Sequence, residues 1–324
     1  MRGKRAVWKI GLALASWIIL CMSSTLSLAV EPTLEFTPQV SKWGPDDQIG
    51  NCNYLTPDKI LQAIRLVEKG EVYDLGTVYY PGMAAFPPRT YKAWLLVHGL
   101  TVPKGKNKGT DTEEFICLST GLGTQIDGFA HLGNDGVFYN NTPKEDIVDP
   151  TGAKKFGMEV VPPIVTRGIL LDMVAYKGRP LEGGEKITVE DFEGAMKKFG
   201  IAKIEPGDAV IFHTGWLRWM ELDPKKFLES SPGIDYELAW RMVESGVVGV
   251  GTDQWSTEVV PHGDYYFPGH VILLGNGVHQ FQNLVTADLA KACAEDNKYE
   301  FLFVFTHPKY KGTVQGNGQP IAIK

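Results

Sequence analysis

Cysteine is scarce in this 324-residue chain: four in all, Cys21, Cys52, Cys117 and Cys293, with no C-x-x-C pair among them. Such wide spacing excludes a disulfide framework and a zinc-finger pattern, and buried free thiols are the expectation, one disulfide in an oxidising compartment being the alternative. A basic stripe is also missing. Lys and Arg number 32 against 38 Asp and Glu, for a net charge of −6. That balance excludes the electrostatic footprint of a nucleic-acid binder and argues against anionic membrane surfaces. No apolar run reaches the roughly 20 residues that span a bilayer. Internal repeats, low-complexity tracts and linker-like stretches are absent too, so one domain is expected.

What is present begins at the N-terminus. Arg2, Lys4, Arg5 and Lys9 precede the apolar run 10–22, followed by Ser23-Ser24-Thr25 and the small-x-small triplet Ser27-Leu28-Ala29. That order is the pattern of a secretory signal peptide cleaved after Ala29, an uncleaved anchor being the alternative. The expected mature domain is residues 30–324, exported to a periplasm or secreted. It keeps 28 basic and 38 acidic residues, a net charge of −10. Its expected partner is a small-molecule substrate, with neither nucleic acid nor, after cleavage, a membrane.

Thr56-Pro57 predicts a helix start, with Ile60, Ile64 and Val67 as its apolar face and Gly70 as its stop. Thr188 and Asp191 form a capping box for a helix through Phe192, Met196 and Phe199, ended by Gly200. Further helices are expected over Tyr236–Glu244 and Ala287–Ala294. Strands are expected over Gly168–Tyr176, Ala209–His213, Val247–Gly251 and Phe301–Thr306. The helix–strand alternation from Val189 to Asp253 argues for an α/β fold, one domain with a mixed, partly parallel sheet and flanking helices. Before residue 165, Gly, Pro, Asn and Asp cluster in long loops (43–53, 81–89 and 104–112), where binding is often placed.

One segment could carry chemistry: Thr120-Gly121-Leu122-Gly123-Thr124-Gln125-Ile126-Asp127-Gly128-Phe129-Ala130-His131. Glycines let the backbone approach a ligand. Gln125 and Asp127 would share one face of an extended chain, and a helical turn would bring His131 alongside Asp127. A carboxylate there can hold a metal, and an imidazole can accept a proton from water near neutral pH. The same residues are also compatible with a turn in which Asp127 caps a helix and His131 is buried.

The surrounding segments resemble the cyclase family, which includes bacterial kynurenine formamidases and isatin hydrolases. The resemblance runs through Trp43-Gly44-Pro45-Asp46-Asp47-Gln48-Ile49-Gly50, Val72-Tyr73-Asp74-Leu75-Gly76, Arg167–Asp172, Pro206-Gly207-Asp208, Thr214-Gly215-Trp216, Val250–Asp253, Phe267-Pro268-Gly269-His270, Gln282-Asn283-Leu284 and Tyr299–Val304. It implies a swivelling β/β/α-like fold and hydrolysis of small cyclic amides or N-formyl compounds, in some members with zinc or manganese. The family hallmark H-x-G-T-H-x-D-x-x-x-H maps onto Gly121, Gln125, Asp127 and His131. A further ligand His maps onto His270, and a ligand Glu onto Gln282. Gly121 offers no ligand, while Gln125 and Gln282 offer only amide oxygens. The implied metal set is therefore Asp127, His270, Gln125 and Gln282. It suits one divalent ion, Zn²⁺ or, given the oxygen donors, the harder Mn²⁺.

The function these residues imply is an exported hydrolase of a small amide, cyclic amide or lactone. One metal would activate water for attack on the carbonyl, with His131 as general base beside Asp127. The alternative is a metal-free periplasmic small-molecule binding protein, or a non-hydrolytic lyase or isomerase on the same scaffold. Phe86, Trp94, Asp253 and Trp255 are the candidate substrate contacts, although Asp253 would serve equally as a helix cap and the aromatics as core. His213 is expected in the core, and His98, His262, His279 and His307 as structural or solvated. The Asp46-Asp47 pair is expected in a turn. Homo-oligomers are implied by the resemblance.

Overall fold

The apolar runs of the second half pair into a mixed sheet of nine strands. In chain order these are β1 (Val72–Asp74), β2 (Gln125–Asp127), β3 (Ile164–Asp172), β4 (Ala209–His213), β5 (Gly249–Thr252), β6 (His279–Gln282), β7 (Glu300–Phe305), β8 (Gln315–Asn317) and β9 (Ile321–Ile323). Their order across the sheet is β1-β9-β7-β3-β4-β5-β6-β2-β8. The contiguous strands β3, β4, β5 and β6 run parallel, and every other neighbour pair is antiparallel. The computed structural model describes Phe36–Leu96 and Val102–Lys324, which form one compact unit. The leader expected over residues 1–29 and His98 lie outside the described residues. No helix among the described residues is long and apolar enough to cross a membrane.

Parallel neighbours require crossovers, and helices supply them. Between the parallel strands come α2 (Met173–Lys177) and α3 (Val189–Lys198), then α4 (Tyr236–Glu244), then α5 (Pro268–Gly275); α1 (Pro57–Ile64) precedes the sheet and α6 (Ala287–Asp296) follows β6. Covered on both faces, β4 and the second half of β3 are almost wholly apolar, whereas β6 alternates polar and apolar residues. Ile169–Leu171, Ala209–Phe212 and Val250 are inaccessible to solvent, and Phe281, Phe303 and Phe305 pack ring against ring beside them. Each such side chain contributes about 1.5–3 kcal/mol by leaving water.

The capping box of α3 is present as read, with Thr188 Oγ1 accepting from the Asp191 amide and Asp191 from the Thr188 amide. The α4 boundaries match the expected ones, with Asp235 as N-cap. Three expectations need correction. Strand β3 ends at Asp172, whose carboxylate accepts from the Ala175 amide at 2.8 Å and starts α2, so 173–176 is helix rather than strand. The α1 helix begins at the Thr56 cap but stops at Ile64, and Ile64 is exposed. Its buried face is Lys59 and Ala63, because Lys59 Nζ reaches the buried Asp208 at 2.6 Å, where Arg167 Nε also donates at 3.0 Å. The third miss is α5 itself. All eight of its residues are buried, and a helix apolar on every side has no amphipathic period to detect.

Asp47 sits in a loop, as expected, and is a hub there: it accepts from Ser41 Oγ, the Ile49 amide, Asn53 Nδ2 and the Tyr139 hydroxyl. Cys52, Cys117 and Cys293 are free thiols; Cys52 and Cys293 are buried as expected, but Cys117 is exposed, because it lies on the solvent-facing hairpin strand Glu113–Leu118.

Candidate metal centre

Strand β2 places the chemistry. Its register sets Gln125 opposite Gln282 of β6, and Asp127 opposite Gln315 of β8. The side-chain alternation of a strand sends Ile126 into the core with Phe281 and leaves Gln125 and Asp127 together on the other face. Gln125 Nε2 donates to Asp127 Oδ1 at 2.9 Å and to Gln282 Oε1 at 3.0 Å, and Gln315 Nε2 donates to Asp127 Oδ1 at 2.7 Å. The second carboxylate oxygen, Asp127 Oδ2, is buried and has no hydrogen-bond partner, and neither has Gln125 Oε1.

Two imidazoles approach that free oxygen. The first turn of α5 delivers His270, whose Nε2 lies 3.4 Å from Asp127 Oδ2 and 2.9 Å from Gln282 Nε2. Its Nδ1 is 2.7 Å from Glu258 Oε1, which fixes the ring and aims Nε2 inward. His131 arrives by a tight turn, its amide bonded to the Gly128 carbonyl at 3.0 Å, rather than by the helical turn expected from the four-residue spacing. Ligand atoms of Asp127, His131 and His270 all lie within 4.8 Å of one another.

Charge in this cluster is shared. Burial alone would raise the Asp127 pKa, but His131, His270 and the Gln315 hydrogen bond hold it well below the usual carboxylate range. Burial lowers His131, helped by repulsion from His270 and Arg89 and opposed by Asp127, so His131 is neutral at pH 7. Burial opposes a charged His270 as well; there Glu258 and Asp127 outweigh it and push the pKa up to about 10.

The Asp127 carboxylate with its unpartnered buried oxygen, the His270 imidazole and the nearby amide oxygens of Gln125 and Gln282 fit a single divalent cation, which would take the place of the His270 proton and leave His131 beside it. A two-ion site does not fit. At Gly121, where the family pattern has its first histidine, a Cβ would come within 2.5 Å of Gln315 Oε1 and 3.0 Å of Arg89 Cζ. Those two side chains fill the space of the missing ligand. Nearby Gly123 has φ +63°, with Tyr79 and Thr77 packed so close that a side chain would overlap them.

The cluster opens into a cavity of about 370 Å³ lined by Phe86, Arg89, His131, Leu132, Trp255, Tyr266, Phe267, His270, Gln282 and Gln315. Phe86 meets Trp255 edge-on at 4.7 Å, and Trp255 Nε1 is pinned to the Phe227 carbonyl at 2.7 Å. Thus Gln125, Asp127, His131, His270, Gln282, Phe86 and Trp255 are brought together. Trp94 and Asp253, expected as substrate contacts, are not part of this cavity. Trp94 is half-exposed on the hairpin Tyr91–Leu96/Glu113–Leu118, against Phe115. Asp253 turns to the far side of the chain, where it accepts from the Thr214 and Gly215 amides at 2.9 and 2.7 Å and pairs with His213. His213, expected in the core, is only partly buried and lines a second cavity. His279 stacks on Phe129 behind the site, while His262 and His307 bond to backbone carbonyls.

Glu258, Gln315, Arg89 and Phe267 escaped the sequence reading. The Gln-Ile-Asp and Gln-Phe-Gln alternation of β2 and β6 carried a signal for a polar face, but nothing local marked Glu258 or Gln315.

Comparison with known proteins bears on the family and the fold. The family model Cyclase matches residues 73–259, more than half of the chain. A crystal structure described as a novel cyclase is 32% identical and superposes with a TM-score of 0.81, covering 89% of this chain and 100% of its own. Isatin hydrolase A from Ralstonia solanacearum, 18% identical, has the same fold with a TM-score of 0.59 over 78% of this chain and 92% of its own. A predicted metal-dependent hydrolase from Bacillus stearothermophilus, 20% identical, gives a TM-score of 0.51 over 78% and 97%. No curated protein matches. With its fold, its cluster of Asp127, His131 and His270, and the family model over most of its sheet, the chain belongs to the cyclase family.

Proposed function

We propose that this protein is an exported, metal-dependent hydrolase that opens a small amide, cyclic amide or lactone. The observation that carries the reading is Asp127 Oδ2, a buried carboxylate oxygen without a hydrogen-bond partner, facing two imidazoles at the floor of a cavity. Asp127, His270 and the amide oxygens of Gln125 and Gln282 would hold one divalent ion, and the oxygen-rich set favours Mn²⁺ over Zn²⁺. When bound, the ion supplies Lewis acidity toward a carbonyl oxygen and toward water. His131, neutral at pH 7 and on the cavity wall, accepts the proton of the attacking water at Nε2 and returns it to the leaving nitrogen or oxygen. Arg89, tied to the Gly121 carbonyl at 2.7 Å, sets a positive charge beside the developing oxyanion. Phe86, Trp255 and Phe267 offer aromatic walls that exclude water and stack on a planar ring, and about 370 Å³ suits a one- or two-ring substrate. Isatin hydrolases among the structural neighbours support a cyclic amide. Self-association is supported by the hairpin, which exposes Trp94, Leu95, Phe115 and Ile116 on its two faces.

The test is metal content of purified protein, followed by turnover of isatin, N-formylaniline and a benzo-fused lactone with added Mn²⁺ or Zn²⁺. One bound ion per chain and turnover that stops on chelation are expected. No affinity for either ion together with no turnover rejects the reading. A second reading, a metal-free binding protein or a lyase or isomerase, is favoured by one observation. Protonated His270 already pairs with both Asp127 and Glu258, which leaves the row with a single net negative charge and no need of a divalent ion. Metal titration separates the two.

A further inference from the structure

A second cavity, of about 550 Å³, lies at the carboxyl ends of β4 and β5 and shares no lining residue with the first. Ligands of parallel sheets gather at that edge, and the volume is in the range of small-molecule sites. Its walls are largely apolar, with Val78, Tyr80, Leu217, Met220 and Val285 among them. Two basic groups interrupt them, His213 and Arg218, close enough for the arginine charge to act on the imidazole. Asp253 already pairs with His213, while Arg218 has the Gly215 carbonyl and the Trp219 ring but no carboxylate in salt-bridge range among the described residues, so one cationic charge at the edge of an apolar space is left for an anion to offset.

The arrangement around His213 is built. Its Nδ1 lies 2.7 Å from Thr286 Oγ1 and 3.3 Å from Asp253 Oδ2. Asp253 is buried and its carboxylate is otherwise used up by Thr214 N, Thr214 Oγ1 and Gly215 N at 2.9, 2.5 and 2.7 Å. The ring is therefore fixed through Nδ1, and Nε2 has no hydrogen-bond partner among the described residues. Glu221 is the other carboxylate of the lining and is solvent-exposed.

We infer that this cavity is a second ligand site, for a small organic monocarboxylate with an aromatic or branched aliphatic body, the carboxylate held by His213 Nε2 and Arg218. Burial lowers the His213 pKa, but Asp253 and Asp172 outweigh burial and the Arg218 charge and raise it, which favours the protonated form that an anion requires. The inference does not depend on the hydrolase reading, because no residue of the metal centre takes part.

Benzoate is the probe, with benzamide as its uncharged match, added to chelator-treated full-length protein labelled with ¹⁵N-histidine. Benzoate should bind saturably and shift the His213 ring resonances, and the same should hold in Asp127→Asn, which disables the metal centre. Benzamide should bind at least ~10-fold more weakly, the size of one charge-assisted contact. His213→Gln should weaken benzoate by a similar factor. Should His213→Gln fail to fold, Val78 provides the control, being 79% exposed and on the cavity lining. There Val78→Glu should weaken benzoate and Val78→Lys should not. Equal binding of benzoate and benzamide overturns the inference. So do benzoate shifts that leave His213 unmoved, or Val78→Glu and Val78→Lys variants that bind alike.

Discussion

Replacing Glu258 by Gln tests the metal centre at the residue that orients it. Glu258 and His270 are both buried, with Oε1 and Nδ1 2.7 Å apart. Glutamine keeps an acceptor of the same reach, so the ring stays where it is and only the charge is lost. At an effective dielectric of ~20, a unit charge pair at that distance interacts by about 6 kcal/mol, an upper bound that relaxation roughly halves. A loss of about 3–6 kcal/mol corresponds to ~2–4 pH units. The His270 pKa of about 10 should therefore fall to near or below 8. Because the folded value lies above the unfolded value of ~6.5, protonated His270 stabilises the metal-free protein fully below that pH, and the stabilisation is lost as pH rises through about 10. In the variant it should be gone by about pH 8. Imidazole NMR titration of chelated protein, with urea unfolding at pH 6 and pH 9, measures both effects. Turnover with saturating metal should drop ~10–100-fold, the usual cost of losing a ligand's orienting partner. A His270 midpoint within one unit of the parent, with unchanged turnover, would refute the reasoning.

Changing His131 to Ala should cost at least ~100-fold in kcat with a smaller effect on KM, measured on whichever substrate turns over; full activity would remove it as the proton acceptor. Asp208→Ala removes the buried partner shared by Lys59 and Arg167 and leaves them the more distant Glu205, at 3.6 and 3.8 Å, with Glu300 on Arg167, so urea unfolding should show a loss of about 1.5–3 kcal/mol. Less than 1 kcal/mol would mean that water replaces the carboxylate. Gly123→Ala puts a Cβ 2.5 Å from the Tyr79 ring at a φ of +63°, so a stability loss of about 1–3 kcal/mol is expected in thermal unfolding.

Capped, amphipathic helices were legible because their signals are local. Thr188 with Asp191, and the apolar spacing of Tyr236–Glu244, need only neighbours in sequence to be read. Helix α5 was not, since a fully buried helix has no polar face to set a period. Strand β3 was misplaced at its end because Asp172 leaves the ladder to cap α2, a choice made by one side chain. In the site, Gln125 and Asp127 could be read as a pair from the two-residue strand period, and the polar-apolar-polar triplets of β2 and β6 carried the same information.

By itself the sequence determined the α/β class, the kinship of its motifs, and which side chains can bind a cation or move a proton. Only the tertiary structure decided which of them meet. Pairing across β6, β2 and β8 joins residues 125, 282 and 315, which no local spacing connects. Helix α5 and the segment after β5 then carry His270 and Glu258 to the same point. The same packing turns Asp253 away from the metal centre and toward His213, since a carboxylate buried at a strand end goes to the amides that can satisfy it. It also fills the space beside Gly121, where the family motif has a histidine, with Gln315 and Arg89.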